Sequence, residues 1–245
     1  MRKKRARGGV LLRGILGLFF FALALALVPA VQVAVLRWVP PLTTGTMVQR
    51  WVEAAVAGER RPPVVVAWTP AGSIPRSLFQ FAWVSEDQRF FAHQGFDWVE
   101  MRQAWEEAQA DGVAPRGAST ITMQTARTVF LWQGRSWLRK ALEAYYTVWM
   151  EQLLPKARIF ELYLNTAEMG PGVYGVAAAA SYHFGTSPAR LNREQQAMLV
   201  ALLPNPRHWN PHHPPPVLRS RQQRILRRAE QAEFPAELDR LGARR

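Results

Sequence analysis

The chain has 245 residues, a formal net charge of +13 and 49% hydrophobic residues, which leaves about 200 residues beyond any membrane segment for one domain with a sizeable core. It contains no cysteine, which excludes disulfides and thiolate zinc sites and leaves the compartment to be read from other features. The positive charge alone would advertise nucleic acid, but the positions of the basic residues explain much of it otherwise.

Arg2, Lys3, Lys4, Arg5, Arg7 and Arg13 precede an apolar run over 14–36 that only Pro29 and Gln32 interrupt. At 1.5 Å per residue the run spans about 35 Å, enough for a bilayer core. The basic flank predicts a cytoplasmic N-terminus and places the rest of the chain outside the cytoplasm. The alternative is a signal peptide cleaved near Ala30, with Val28 and Ala30 as its small residues; the apolar run continues past Ala30, which favours a retained anchor. Arg219, Arg221, Arg224, Arg227, Arg228, Arg240, Arg244 and Arg245 form a second basic group, suited to acidic lipid headgroups. An exterior location removes nucleic acid as a partner.

Beyond the anchor, 40–46 reads as a linker, 46–57 as a helix and the β-branched run 64–66 as a small strand. Apolar periodicity and punctuation predict further helices over 75–91, 97–110, 119–130, 136–154, 156–165, 174–184, 192–202 and 217–231. Six prolines between Pro204 and Pro216 separate the last two. The implied organisation is a basic tail over 1–13, a transmembrane anchor over 14–36, a membrane-proximal segment over 37–69, a catalytic domain over 70–232 and a basic tail over 233–245.

On the helix that starts at Pro75, Glu86 shares a face with Phe79, Ala82, Trp83, Phe90 and His93. Burial there would raise the carboxyl pKa and leave it basic enough to take a hydroxyl proton near neutrality. A salt bridge to Arg89, or a helix-capping role, accounts for the same pattern. A second carboxylate, Glu143, follows Arg139 and Lys140 at helical spacing, ordinarily a surface ion pair. Arg127 and Arg135 add more positive charge than one glutamate needs, and such a surplus can hold a diphosphate. Between the carboxylates, Arg116 and Gly117 lead into Ser119, a natural N-cap whose helix would aim free N–H groups at an anion. Ordinary capping explains Ser119 equally well.

Other signals are weaker. Gly170, Gly172 and Gly175 spell G-x-G-x-x-G but follow a helix, so the dinucleotide-loop context is missing. His208, His212 and His213 lack metal-ligand spacing, and no D-x-D pair exists to hold a metal-bound nucleotide sugar.

Taken in order, these segments resemble the lipid II polymerising glycosyltransferase family. Its first motif matches Glu86, Asp87, Phe90, His93 and Gly95; its second matches Gly117, Ser119, Thr120, Ile121, Thr122 and Gln124; its third matches Arg139, Lys140 and Glu143. KARIFELYLN and GVYGVAAAASYHFG resemble the fourth and fifth. Met123 departs from a usual glutamine, Arg127 and Thr128 from a usual Lys-Asn pair, and Ala177 from a frequent glutamate; arginine keeps the charge and forks well onto phosphate.

The resemblance implies a mainly α, lysozyme-like glycosyltransferase domain behind one N-terminal transmembrane helix. It implies Glu86 as general base and Glu143 as a second catalytic carboxylate that orders cations or steadies charge at the donor carbon. Arg127, Arg135, Arg139 and Lys140 would bind the diphosphate, while Ser119, Thr120 and Gln124 would line the donor side. No cofactor is required, and a divalent cation bound with the substrate pyrophosphate is left open. The implied partners are lipid II, the growing undecaprenyl-pyrophosphate-linked glycan, the bilayer and other cell-wall synthesis proteins. The implied location is the bacterial inner membrane, single-pass, with the catalytic domain on the periplasmic side. Neither the S-x-x-K nor the K-T-G string of a linked transpeptidase occurs, so polymerisation without cross-linking is expected. Val129, Phe130, Leu131, Trp132 and Trp137 are expected either to dip into lipid or to belong to the core.

Overall fold

The structure, a computed structural model, describes residues 3–59, 65–113, 117–134 and 136–242, with side chains from residue 12 onward except that of Val65. Arg2, Val64, Arg116, Arg135, Arg244 and Arg245, which figure in the expectations above, lie outside the described residues.

The chain opens with α1 (Lys3–Val35) and α2 (Gly45–Val56), followed by β1 (Val65–Val66), α3 (Arg76–Glu86) and α4 (Trp98–Asp111). Next come α5 (Ile121–Phe130), α6 (Trp137–Leu153) and α7 (Lys156–Thr166), then β2 (Glu168–Gly170) and β3 (Val173–Tyr174). It closes with α8 (Val176–Phe184), α9 (Arg193–Ala201), α10 (Pro216–Gln231) and α11 (Ala236–Asp239). The fold is mostly helical, as the sequence pattern implies.

The core gathers around α3, α7 and α9. Phe79, Phe90 and Phe160 meet edge to face, with centroids 5.2 and 5.1 Å apart. Burying each ring contributes roughly 2 kcal/mol. Within α1, Leu12–Val35 is long and apolar enough to cross a membrane. Its outer part docks along α6: the Tyr145 hydroxyl donates to the Ala26 carbonyl at 3.1 Å, and Tyr146 to Gln32 at 2.6 Å. Arg158 closes the contact by donating to the Leu36 carbonyl at 2.7 Å.

Three features differ from the periodicity. Helix α3 stops at Glu86 instead of running to Phe91, because the Asp87 carboxylate is drawn away by the Ile121 N–H at 3.0 Å and by His93 Nε2 at 3.1 Å. Phe90 and His93 therefore do not continue a helix face with Glu86; the chain turns through Gly95, at φ +86, where a Cβ would lie 2.6 Å from Thr147. The helix expected from Tyr174 begins at Val176, since β3 pairs antiparallel with β2 and parallel with β1. Gly175, at φ +82, passes so near the Asn165 carbonyl that a Cβ would sit 2.5 Å from its oxygen. The G-x-G-x-x-G string is thus a hairpin followed by a helix start. Finally, the described part of the tail, 233–242, folds back: Leu238 and Leu241 are buried, and Asp239 pairs with Arg76 on α3.

Candidate active site

Glu86 stands at the C-terminus of α3, where two clefts meet. The first, about 610 Å³, is lined by Glu86, Ser119, Gln124, Arg127, Tyr163 and Arg207 among others. The second, about 630 Å³, shares Ser85, Glu86, Gly117, Ser119 and Arg221 with it and adds Arg89, Arg224 and Arg228. A groove with the carboxylate at its middle can seat one sugar unit on each side.

The carboxylate is 12% exposed and not alone on an apolar face, which corrects the expectation from helix periodicity. Its Oε1 accepts from Arg221 at 2.5 Å and from Ser85 Oγ at 2.9 Å. Among the described residues, its Oε2 accepts only from Gln124 Nε2, at 3.2 Å. Arg89, the partner weighed from sequence, instead reaches Asp97 at 3.0 Å. Arg221 belongs to the basic group that the sequence suits to lipid headgroups, yet it turns into the groove. It lies 135 residues from Glu86 in the chain, and no local signal in a helix rich in arginine singles it out.

Glu143 is 0% exposed and bonded by both of its sequence neighbours, Arg139 and Lys140, the latter at 2.6 Å. Arg139 is itself buried and also donates to the Gly134 carbonyl at 2.7 Å. Lys140, 40% exposed, extends to 3.5 Å from Ser119 Oγ at the groove. Arg127 differs from them. It lines the first cleft, its Nε is buried without a partner, and among the described residues it has no ion pair. A cation left uncompensated beside a cleft is a ready receptor for a polyanion.

The donor-side polar residues fall into two groups. Ser119 lines both clefts. Thr120, not Ser119, caps α5: it is buried, accepts from Met123 N–H and donates to the Gly95 carbonyl at 2.6 Å. Asp87 already supplies an anion to the start of that helix through Ile121 N–H. Gln124 donates to Glu86 and to the Ser119 carbonyl at 3.3 Å, and accepts from the Tyr163 hydroxyl at 3.3 Å.

Sequence reasoning also missed the far wall of the first cleft. There Arg207 meets Glu168 through Nε at 2.9 Å. Burial pulls the Arg207 guanidinium down, but Glu168 outweighs it and the pKa ends above the usual arginine value. Tyr174 behind it is pushed up to about 12, first by burial and then by the Glu168 charge. Among the described residues, Asp87, His93 and Asp97 bring potential metal-ligating atoms within 4.8 Å of one another. Each is already held by protein partners: Asp87 by Ile121, His93 by Asp87, and Asp97 by Arg89 and the first N–H groups of α4.

Residues 55–230 match the family model described as Transglycosylase. The chain belongs to the transglycosylase family. A protein of Pseudomonas aeruginosa named biosynthetic peptidoglycan transglycosylase is 46% identical over 206 residues, covering 83% of this chain and 87% of that protein. One of the same name from Chromohalobacter salexigens is 42% identical over 231 residues, 94% of this chain and 97% of that one. A third, from Xylella fastidiosa, is 43% identical over 226 residues, 91% of each. Membership in the transglycosylase family accords with the ordered sugar-transfer motifs in the sequence.

Proposed function

We propose that the chain is a peptidoglycan glycan-strand polymerase that transfers the growing glycan from undecaprenyl pyrophosphate to the 4-hydroxyl of the GlcNAc of lipid II. The observation that carries this reading is a carboxylate at the junction of two clefts, the first of which is also lined by Arg127, a cation with no counter-charge among the described residues. The names of the relatives point to the same substrate class.

In this scheme the acceptor hydroxyl approaches Glu86 and gives its proton to Oε2, the oxygen with a single hydrogen-bond partner among the described residues. The acceptor oxygen bonds to the donor's anomeric carbon with inversion, while the carbon–oxygen bond to the diphosphate breaks and its electron pair leaves on the diphosphate. Glycosidases supply a general acid because a sugar alkoxide leaves poorly. A diphosphate instead needs counter-charge, which Arg127 and Lys140 provide at the groove. Glu143, enclosed by Arg139 and Lys140, acts by ordering those cations. Arg135 keeps its proposed place among the diphosphate ligands on the family pattern alone. A divalent cation arriving on the diphosphate is compatible with the scheme and takes no step in it.

The apolar α1 serves as a single-pass anchor, and its basic start supports an inner-membrane location with the domain on the periplasmic side. Trp132 and Trp137 are exposed, the latter 91%, and are the candidates for lipid contact; Val129 and Leu131 are buried in the protein. The test is to incubate purified protein with labelled lipid II and resolve the products on a gel. Polymer is expected from the wild type. Glu86→Gln should slow it by about 10²- to 10⁴-fold while the folded signal remains. Release of soluble fragments from preformed peptidoglycan would favour a cleaving enzyme instead, and undiminished turnover by Glu86→Gln would remove the base assignment.

A further inference from the structure

The proposed base is held by a relay that starts on α7, at Tyr163, within the segment that resembles the fourth family motif and at the wall of the first cleft. The Tyr163 side chain is 3% exposed, and its hydroxyl lies 3.3 Å from Gln124 Oε1. The amide nitrogen of Gln124 faces two oxygens, Glu86 Oε2 at 3.2 Å and the Ser119 carbonyl at 3.3 Å. Turning the amide over would set its oxygen against both of these acceptors. The nitrogen must therefore face them, and the oxygen must face the phenol.

We propose that Tyr163 is a positioning residue: its hydroxyl, donating to Gln124 Oε1, locks the amide whose N–H fixes Glu86 Oε2 in the groove. The inference rests on the assignment of Glu86 as general base and adds a residue that reaches the reacting atoms only through another. The phenol suits the task because it keeps its proton. Burial first, and then the nearby Glu86 charge, raise its pKa well above the ordinary tyrosine value, so it donates across the whole working pH range.

The relay also divides labour between the carboxylate oxygens. Oε1 is clamped by Arg221 and Ser85 on one side, whereas among the described residues Oε2 is steered only by the amide. Without the phenol, the Gln124 amide oxygen has lost its anchor and the amide can turn about its remaining bond to the Ser119 carbonyl, so the guide on Oε2 loosens while the substrate-binding cations stay where they are. The expected signature is a loss in kcat without a matching rise in KM.

The experiment measures initial rates of full-length protein on labelled lipid II. Tyr163→Phe should lower kcat by about tenfold or more with KM within about twofold of wild type. Because Tyr163 acts through Gln124, adding Tyr163→Phe to Gln124→Ala should change the rate by less than about twofold. Multiplying losses, a loss confined to KM, or a wild-type rate in Tyr163→Phe would each overturn the relay. Gln124→Met supplies a check that leaves Tyr163 intact: it fills a similar space but cannot donate to Glu86, so it should be as slow as Gln124→Ala. A wild-type rate there overturns the proposal even if Tyr163→Phe does not fold. A wild-type protein that makes no polymer refutes the function itself, and the relay with it; an active wild type with unaffected variants refutes the relay alone.

Discussion

At the scale of single residues, Glu143 shows how a buried charge is tolerated. Its carboxylate is fully enclosed, and its two cationic partners come from its own helix. Removing it would strand Arg139, which is itself buried. Glu143→Ala should therefore cost about 3 kcal/mol of stability, nearly all of it through Arg139, since Lys140 is screened by solvent. Glu143→Gln should cost less because it retains an acceptor. Urea titration checks both, and an unchanged midpoint for Glu143→Ala would show that Arg139 finds other partners. The short-range part of this arrangement was legible in the sequence, because Arg139, Lys140 and Glu143 lie within one turn. The Glu86 environment was not. Its strongest partner, Arg221, comes from 135 residues away, and a helix rich in arginine gives no reason to choose that one. Periodicity likewise extended the apolar face through Phe90 and His93, although Asp87 breaks the helix to reach Ile121 and His93.

At the scale of elements, the long helices followed their apolar patterns and the β-branched run announced β1 at Val65–Val66, but β2 and β3 did not announce themselves. Strands β2 and β3 have three and two residues, too few to display alternation. Tertiary contacts hold them instead. The buried His183 on α8 donates from Nε2 to the Met169 carbonyl on β2 at 2.6 Å. Burial lowers its pKa below the ordinary 6.5, with the Met169 carbonyl opposing the shift and His212 adding to it. The neutral ring is thus favoured in the folded state. Below pH 6.5 the unfolded chain binds the proton more readily, so this contribution is present above that value and is lost as pH falls through the lower folded-state pKa. The fall in melting temperature on acidification through this window should be shallower in His183→Gln than in wild type. Parallel curves would place the pH sensitivity elsewhere.

A separate element, α2, joins the two lips of the first cleft. Gln49 pairs with Gln133 on one lip, while Glu53 approaches Arg207 on the other at 3.9 Å. The membrane-proximal segment that the sequence reduced to a linker and a helix is therefore part of the groove's frame.

At the scale of the whole molecule, the relation between α1 and α6 governs how the domain meets the bilayer. The two helices run in the same direction, with Tyr145 beside Ala26, Tyr146 beside Gln32 and Leu153 beside Arg37. The part of the apolar span that precedes this docking, Leu12 to Leu25, measures roughly 20 Å. A bilayer core is about 30 Å thick. With α1 as the anchor, the N-terminal end of α6 must enter the lipid to make up the difference, carrying Trp137 and Leu138 with it. The chain has no cysteine, so Trp137→Cys offers one attachment point for a fluorophore. In vesicles, that probe should be quenched by lipids brominated on their acyl chains; a probe quenched only from the water phase would lift this end of the domain clear of the membrane. The apolar run was legible in the sequence, but its docking was not, because Tyr145 and Tyr146 reach α1 from more than a hundred residues away.

Gripped by α6 along its outer turns, the anchor acts as a rigid post and not a slack tether. The groove then stands at one fixed altitude above the lipid, like a tool clamped to a bench. On the proposed function, sugars delivered on a carrier of matching reach would arrive level with the groove, while a donor whose head rode too high or too low would pass by unjoined, however well its chemistry suited the transfer.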